Sequence, residues 1–322
     1  MARKTLNSML KSAHESTLGF NLYIEGGYRQ KIARQSQRQR NEPLSLDVLN
    51  VNLRNKLLKE LVFVGLGLHD EKGISLKGVE ETKSANAVFM ELYTNLLPDF
   101  SIKRFEAIIG KKIHLLQRRN LEEENGALLL NAAEKGKTVF LVPGDPLIAT
   151  THVTLRIEAE KHGVKTRIVH GASIISAIIG LSGLHNYKFG KTVTVPFSEN
   201  FSETPYNVIA QNKKLGLHTL CLLDLKIDEK RFLTINKALT LLLEIEQKRN
   251  EGIITPNTIA VGIARAGSDT PTVKADHIKN LTKHDFGNPP QSLIFPGELH
   301  FMETEALITL ASAPETLRRK TK

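Results

Sequence analysis

From residue 61 onward the chain repeats one pattern: a short apolar, largely β-branched run, a break at Gly, Pro or Ser, then apolar residues at helical spacing. Residues 61–66 read as the first strand, followed by a helix over 75–86 that Ser75 caps. A strand follows at 87–93, a helix at 102–109 and a strand at 113–116. Asn120 opens a helix with Glu122, Glu123 and Glu124 in its first turn, where the helix dipole favours negative charge, and Gly136 ends it. The run 138–142 is apolar on both faces and reads as a central strand. A helix starting at Thr150 or Thr151 runs to His162, with Gly163 as its stop. A strand at 165–169 and a helix from Ser173 complete this half. Strands alternating with helices predict a parallel sheet covered on both faces.

Beyond Lys191 the rhythm loosens. Strands are predicted at 192–197, 219–225, 258–264, 271–274 and 292–295, separated by only three clear helices at 204–214, 234–248 and 303–311. Ile235, Leu239, Leu242 and Leu243 repeat at helical spacing, so the middle helix covers a sheet face. Short links between adjacent strands imply a mixed sheet. The pattern therefore predicts two α/β domains, residues 61–170 and 171–322, meeting near 170–190 with a cleft between them.

Residues 1–60 have a different character, with weak periodicity and 11 basic against 5 acidic residues. They hold +6 of the chain's formal +10, so most of the basicity belongs to this segment. The composition predicts a disordered basic arm, or at most one docked helix at 44–58. Glu15, Glu25, Glu42 and Asp47 argue against a transit peptide. The single Cys221 lies in a strand-like run and reads as a small buried hydrophobe. The eleven histidines show no metal-ligand spacing. No apolar run approaches the roughly 18–20 residues of a membrane span. A cytoplasmic, metal-free protein without a membrane segment is expected.

The candidate chemistry gathers at strand ends. Pro143-Gly-Asp-Pro146 forms a rigid loop after the central strand, with Asp145 at its middle. Open α/β sheets place their ligand crevices at such carboxyl ends. Gly65-Leu-Gly67 tempts a dinucleotide reading, but the third glycine position is Asp70 and the next helix starts only near Ser75, too far to cradle a pyrophosphate. In His170-Gly-Ala-Ser173, the serine suits a helix cap whose backbone donors also suit an anion. Arg265 ends a buried strand, as a salt-bridge partner or a substrate anchor. His152 stands at a helix terminus. No paired carboxylates, Ser-His-Asp or Cys-His arrangement is present to act as a catalytic set.

Together, Phe63-Val-Gly-Leu-Gly-Leu68, Pro143 to His152, Ala172-Ser-Ile174, Gly183-Leu-His-Asn-Tyr-Lys-Phe-Gly190, Gly216 to Lys226 and Ala264-Arg-Ala-Gly267 resemble the diphthine synthase family. That family belongs to the tetrapyrrole-methylase superfamily of S-adenosylmethionine-dependent methyltransferases. The resemblance spans residues 60–315 in order. It implies two α/β domains, an inter-domain cleft and a homodimer. It also implies an S-adenosylmethionine site made by Leu68, Asp145, Ile148, Ser173, Ile174, Leu223 and Ala266, with Gln291 where the family usually has a cofactor-contacting histidine. Residues 226–233 lack the insertion of eukaryotic members, so the chain is similar to the archaeal form. Residues 1–60 have no family counterpart; the family's usual start leads us to expect translation to begin near Leu57 or Leu58, and the opposing reading is a real basic arm whose +6 charge steers the enzyme toward ribosome-associated substrate.

The implied activity is N-methylation of the 3-amino-3-carboxypropyl-histidine of translation elongation factor 2, giving diphthine in diphthamide biosynthesis. Arg265 or His152 is then the candidate grip for the acceptor's carboxylate. Two rivals remain at this stage: methylation of a corrin or porphyrin precursor, and a non-catalytic RNA-binding protein on a degenerate methylase fold. The body itself is not expected to bind nucleic acid.

Overall fold

The computed structural model describes residues 58–320; the expected basic arm and the helix at 44–58 lie essentially outside the described residues. β1 (Glu60–Gly65) is buried along its whole length. It pairs in parallel with β4 (Lys137–Val142) on one side and β5 (Lys165–Val169) on the other. β2 (Ala87–Glu91) joins β4 to β3 (His114–Leu116), giving an all-parallel order β3-β2-β4-β1-β5. Alternate residues of β1 feed opposite cores. Val62 and Val64 pack in a cluster with Phe105 of α2 (Ile102–Ile109), on the face that α1 (Leu76–Ser84) also covers. Leu61 and Phe63 pack with Leu129 of α4 (Ala127–Ala133) and Leu155 and Ala159 of α5 (Val153–Lys161). A strand covered twice has no polar face to show, which is why these runs lack alternation.

The chain leaves β1 towards β2 and leaves β4 towards β5, in opposite directions across the sheet. Right-handed crossovers then put the connecting helices on opposite faces. The ends of the neighbouring strands β1 and β4 thus form a switch point, where a ligand crevice opens.

The second sheet has the order β11-β10-β12-β7-β6. β6 (Val193–Val195) and β7 (Thr219–Leu223) are parallel, whereas β12 (Gln291–Phe295), β10 (Ile259–Ala264) and β11 (Thr272–His277) pair antiparallel. α7 (Thr204–Lys214) and α8 (Ile235–Arg249) cover one face. α6 (Ile174–Ser182) and α10 (Phe301–Ala311) cover the other. A short helix, α9 (Ile278–Leu281), follows β11.

Three local expectations are corrected. The single helix expected from Asn120 to Gly136 is two helices, α3 (Arg118–Glu122) and α4, because Asn125 and Gly126 adopt positive φ between them. Glu124 accordingly pairs with Arg119 at 3.0 Å instead of facing a helix start. The strand expected at 271–274 extends to His277, since β10 pairs with it throughout. The strand expected to reach 225 stops at Leu223, and Leu225–Lys226 (β8) instead pairs with Arg231–Phe232 (β9) in a small hairpin.

Candidate active site

A cleft of about 500 Å³ opens where the two sheets' strand ends converge. The first sheet contributes Leu68 after β1, residues 93–96 after β2, Arg118 and Glu122 of α3, Asp145 and Ile148 after β4, and Ser173 and Ile174 after β5. The second contributes Leu223, Arg265, Ala266 and the segment 289–292. All eight residues assigned to the cofactor from the sequence therefore line one cleft.

Its floor is made by loops in close contact. The backbones of Gly67 and Gly144 exchange hydrogen bonds of 2.8 and 3.2 Å. A Cβ on Gly65 would lie 2.5 Å from the Gly144 carbonyl oxygen, and one on Gly171 2.3 Å from the same atom. Only glycine lets these three loops meet. The glycines after β1 serve loop packing, not a pyrophosphate.

Asp145 is buried at this junction. Its Oδ1 accepts from the Leu147 backbone N–H at 3.1 Å, which closes the Asp-Pro-Leu turn at the end of the Pro-Gly-Asp-Pro loop. Its Oδ2 lies 2.7 Å from Nδ1 of His170, whose ring is largely exposed. The sequence reading held both residues and missed their pairing. The available signal was positional, since Asp145 and His170 follow the ends of the two strands that flank β1. Ser173 caps α6, accepting from the Ile175 N–H at 3.3 Å. Leu68, Ile148 and Leu223 supply apolar wall.

Neither candidate for gripping a carboxylate is placed to do so. Arg265 lines the cleft, but its Nη1 donates to the carbonyls of Phe286 and Asn288 at 2.8 and 2.9 Å. Its Nη2 donates to Thr272 Oγ1 at 2.6 Å, and its backbone N–H donates to the Pro290 carbonyl at 2.8 Å. Arg265 thus fastens the 286–290 segment to β10. His152 is 3% exposed and does not line the cleft. Its Nδ1 lies 3.2 Å from the Pro146 carbonyl and its ring packs edge-on against Phe140. Burial holds its pKa below the ordinary histidine value, so it braces the Asp145 loop from behind as a neutral ring.

The Gln291 side chain is committed too. Its Oε1 accepts from the Ile235 N–H at 2.9 Å, at the start of α8, and its Nε2 donates to the Gly287 carbonyl at 2.7 Å. Sequence reasoning missed Glu91, the polar end of the apolar run Ala-Val-Phe-Met-Glu. Glu91 is fully buried and accepts from the Tyr93 and Thr94 N–H groups at 2.9 and 3.0 Å, and from the Thr94 hydroxyl. Burial pushes its pKa up. Burial, with Glu91 and Glu122 nearby, also lifts the Tyr93 phenol to about 12, so that group stays neutral.

Two parallel-to-mixed α/β layers joined at such a cleft define a class. The profile of the tetrapyrrole (corrin/porphyrin) methylases matches residues 60–282, which makes this an S-adenosylmethionine-dependent methyltransferase. The Methanosarcina acetivorans diphthine synthase is 47% identical over 268 residues, covering 81% of this chain and 99% of that relative. The Methanocaldococcus jannaschii diphthine synthase is 48% identical over 251 residues, 77% and 97% of the two chains. A crystal structure of diphthine synthase superimposes with a TM-score of 0.73 at 46% identity, covering 80% of this chain and 98% of that one. The chain belongs to the diphthine synthase family.

The cleft fits S-adenosylmethionine. Its volume lies within the roughly 300–1,000 Å³ of small-molecule sites. Its chemistry also suits the molecule, with one buried carboxylate beside apolar walls for a ligand that joins a cationic centre to a flat base.

Proposed function

We propose that this enzyme methylates the amino group of the 3-amino-3-carboxypropyl arm on a modified histidine of translation elongation factor 2, forming diphthine. The observation that carries the reading is the near-complete coverage of diphthine synthases at 47–48% identity, with every cofactor position of the family's pattern lining one cleft. S-adenosylmethionine, when bound, supplies a sulfonium methyl that a neutral amine takes while the carbon–sulfur electron pair stays on sulfur.

The protein's part is to bind, align and keep out water. Leu68, Ile148 and Leu223 enclose the cofactor's apolar portions, and the start of α6 at Ser173 and Ile174 offers backbone donors. Asp145 stands on a loop fixed by the Leu147 N–H, the His170 ring and the brace of His152. Ala266 directly follows Arg265, whose side chain holds the 286–288 carbonyls beside the end of β10. Because the Gln291 amide is engaged at both ends, its contact with the cofactor falls to the backbone, so glutamine serves where the family usually has histidine. Alignment of two bound reactants is worth about 7–11 kcal/mol of barrier, enough for an amine nucleophile without a dedicated base.

In this reading residues 61–170 and 171–322 act as two domains about the cleft, the working unit is a homodimer, as the family resemblance implies, and the setting is cytoplasmic, in keeping with the single cysteine. The test offers labelled S-adenosylmethionine with unmodified elongation factor 2, with the arm-bearing factor, or with a corrin precursor. Label is expected only in the arm-bearing factor; transfer to the corrin precursor alone overturns the reading.

A further inference from the structure

The eight cofactor positions occupy only part of the cleft. They follow β1, β4 and β5 in the first sheet, and none follows β2 or β3. Those two strands lie together at one side of the sheet, beyond β4. Their ends extend the cleft with Tyr93, Thr94 and Asn95, and with Arg118 and Glu122 of α3. Beside the apolar Leu96 and Pro98, this extension carries polar groups and both signs of charge.

Two arginines line the cleft, and they differ in what they hold. The guanidinium of Arg265 is spent on two carbonyls and a hydroxyl. Arg118 makes, among the described residues, only a 3.8 Å ion pair with Glu122, one helical turn away. Its side chain is 59% exposed, and its guanidinium carbon stands 5.3 Å from the Tyr93 ring centroid. That ring is a fixed platform, because buried Glu91 holds the Tyr93 and Thr94 backbone N–H groups. A planar, aromatic-backed guanidinium with open donors is the fork that a carboxylate accepts bidentately. Glu122 beside it presents a carboxylate to a cationic nitrogen. The pair is complementary to an α-amino acid group.

We propose that this extension is the acceptor subsite, in which Arg118 takes the carboxylate of the acceptor's α-amino acid arm while Glu122 faces the nitrogen that becomes cationic. The assignment rests on the function proposed above and names the residues that read its substrate. The shared chemistry also occurs at the methionine end of S-adenosylmethionine, so the experiment measures both ligands.

The full-length protein is assayed with arm-bearing elongation factor 2 by steady-state kinetics, and with S-adenosylmethionine by calorimetry. For Arg118→Gln, kcat/KM for the factor is expected to fall about 10- to 100-fold, mainly through KM, as for a lost hydrogen bond to a charged group. The cofactor Kd should stay within about twofold of wild type. Arg118→Lys should recover part of the loss, since it keeps the charge and loses the fork. An unchanged kcat/KM in an active enzyme overturns the subsite alone, and a parallel loss of cofactor affinity moves Arg118 to the cofactor's side and overturns it equally. A wild-type protein that binds cofactor but never methylates the factor overturns the functional reading, and the subsite with it.

Discussion

Asp145 combines burial, a turn-closing hydrogen bond and a histidine partner within three residues of a strand end. A lysine there loses the acceptor for the Leu147 N–H and brings an ammonium into the cleft proposed to take the cationic cofactor. Asp145→Lys is expected to weaken S-adenosylmethionine binding by more than about 100-fold in calorimetric titration, consistent with an unmatched buried charge. Asp145→Asn keeps an oxygen for the turn and removes the charge, so a loss of about 10-fold is expected. Wild-type affinity in both variants would place the cofactor elsewhere. The residue-level roles were legible in the sequence only where one loop contains both partners. The Asp145 turn is such a case; Asp145 with His170, or Arg265 with the 286–288 carbonyls, are not, because those partners are joined by sheet pairing between distant segments.

At the scale of elements, α10 is fastened through one carboxylate. Glu303 is fully buried and receives the N–H groups of His185 and His300 at 2.8 and 2.9 Å, Nζ of Lys188 at 2.7 Å and Nε2 of His218 at 2.9 Å. Because Nδ1 of His218 accepts from the Gly297 N–H, its proton sits on Nε2 and points at Glu303. Burial alone would raise the Glu303 pKa; Lys188 and the surrounding donors outweigh it and hold it at about 2, against an ordinary 4.5. A depressed carboxylate stabilises the fold above pH 4.5, and that contribution, about 3 kcal/mol, is lost as pH falls towards 2. Thermal melts of wild type should therefore steepen in this acid range. Glu303→Gln is expected to flatten that limb and to lower the melting temperature at neutral pH by several degrees, on the order of 2–4 °C per kcal/mol. An acid limb identical to that of wild type would remove Glu303 from the account. The helix was legible from Glu303 onward, but its capping box with His300 was not read, and the link from Glu303 to His218, just before β7, spans 85 residues.

For the whole molecule, the four apolar clusters of the described residues are built from residues 61–317, and the methylase profile begins at residue 60. A chain starting at Leu58 is expected to keep S-adenosylmethionine affinity within about twofold and the oligomeric state of the full chain in light scattering. Dissociation of the shortened protein would give residues 1–57 a part in assembly. The sequence alone determined most of the strands and helices of the body, the parallel and mixed character of the two sheets, and the loops that carry Leu68, Asp145, Ser173 and Ala266. These depend on apolar periodicity, caps and breakers that act over a few residues. Strand order, the Asn125–Gly126 break, the closing of Arg265 and His152 onto the protein's own backbone, and the standing of Arg118 over Tyr93 were decided only by tertiary structure. The physical reason is that an arginine or histidine carries the same donors whether it faces a ligand or a carbonyl, and only the folded neighbourhood settles which of them reaches it first.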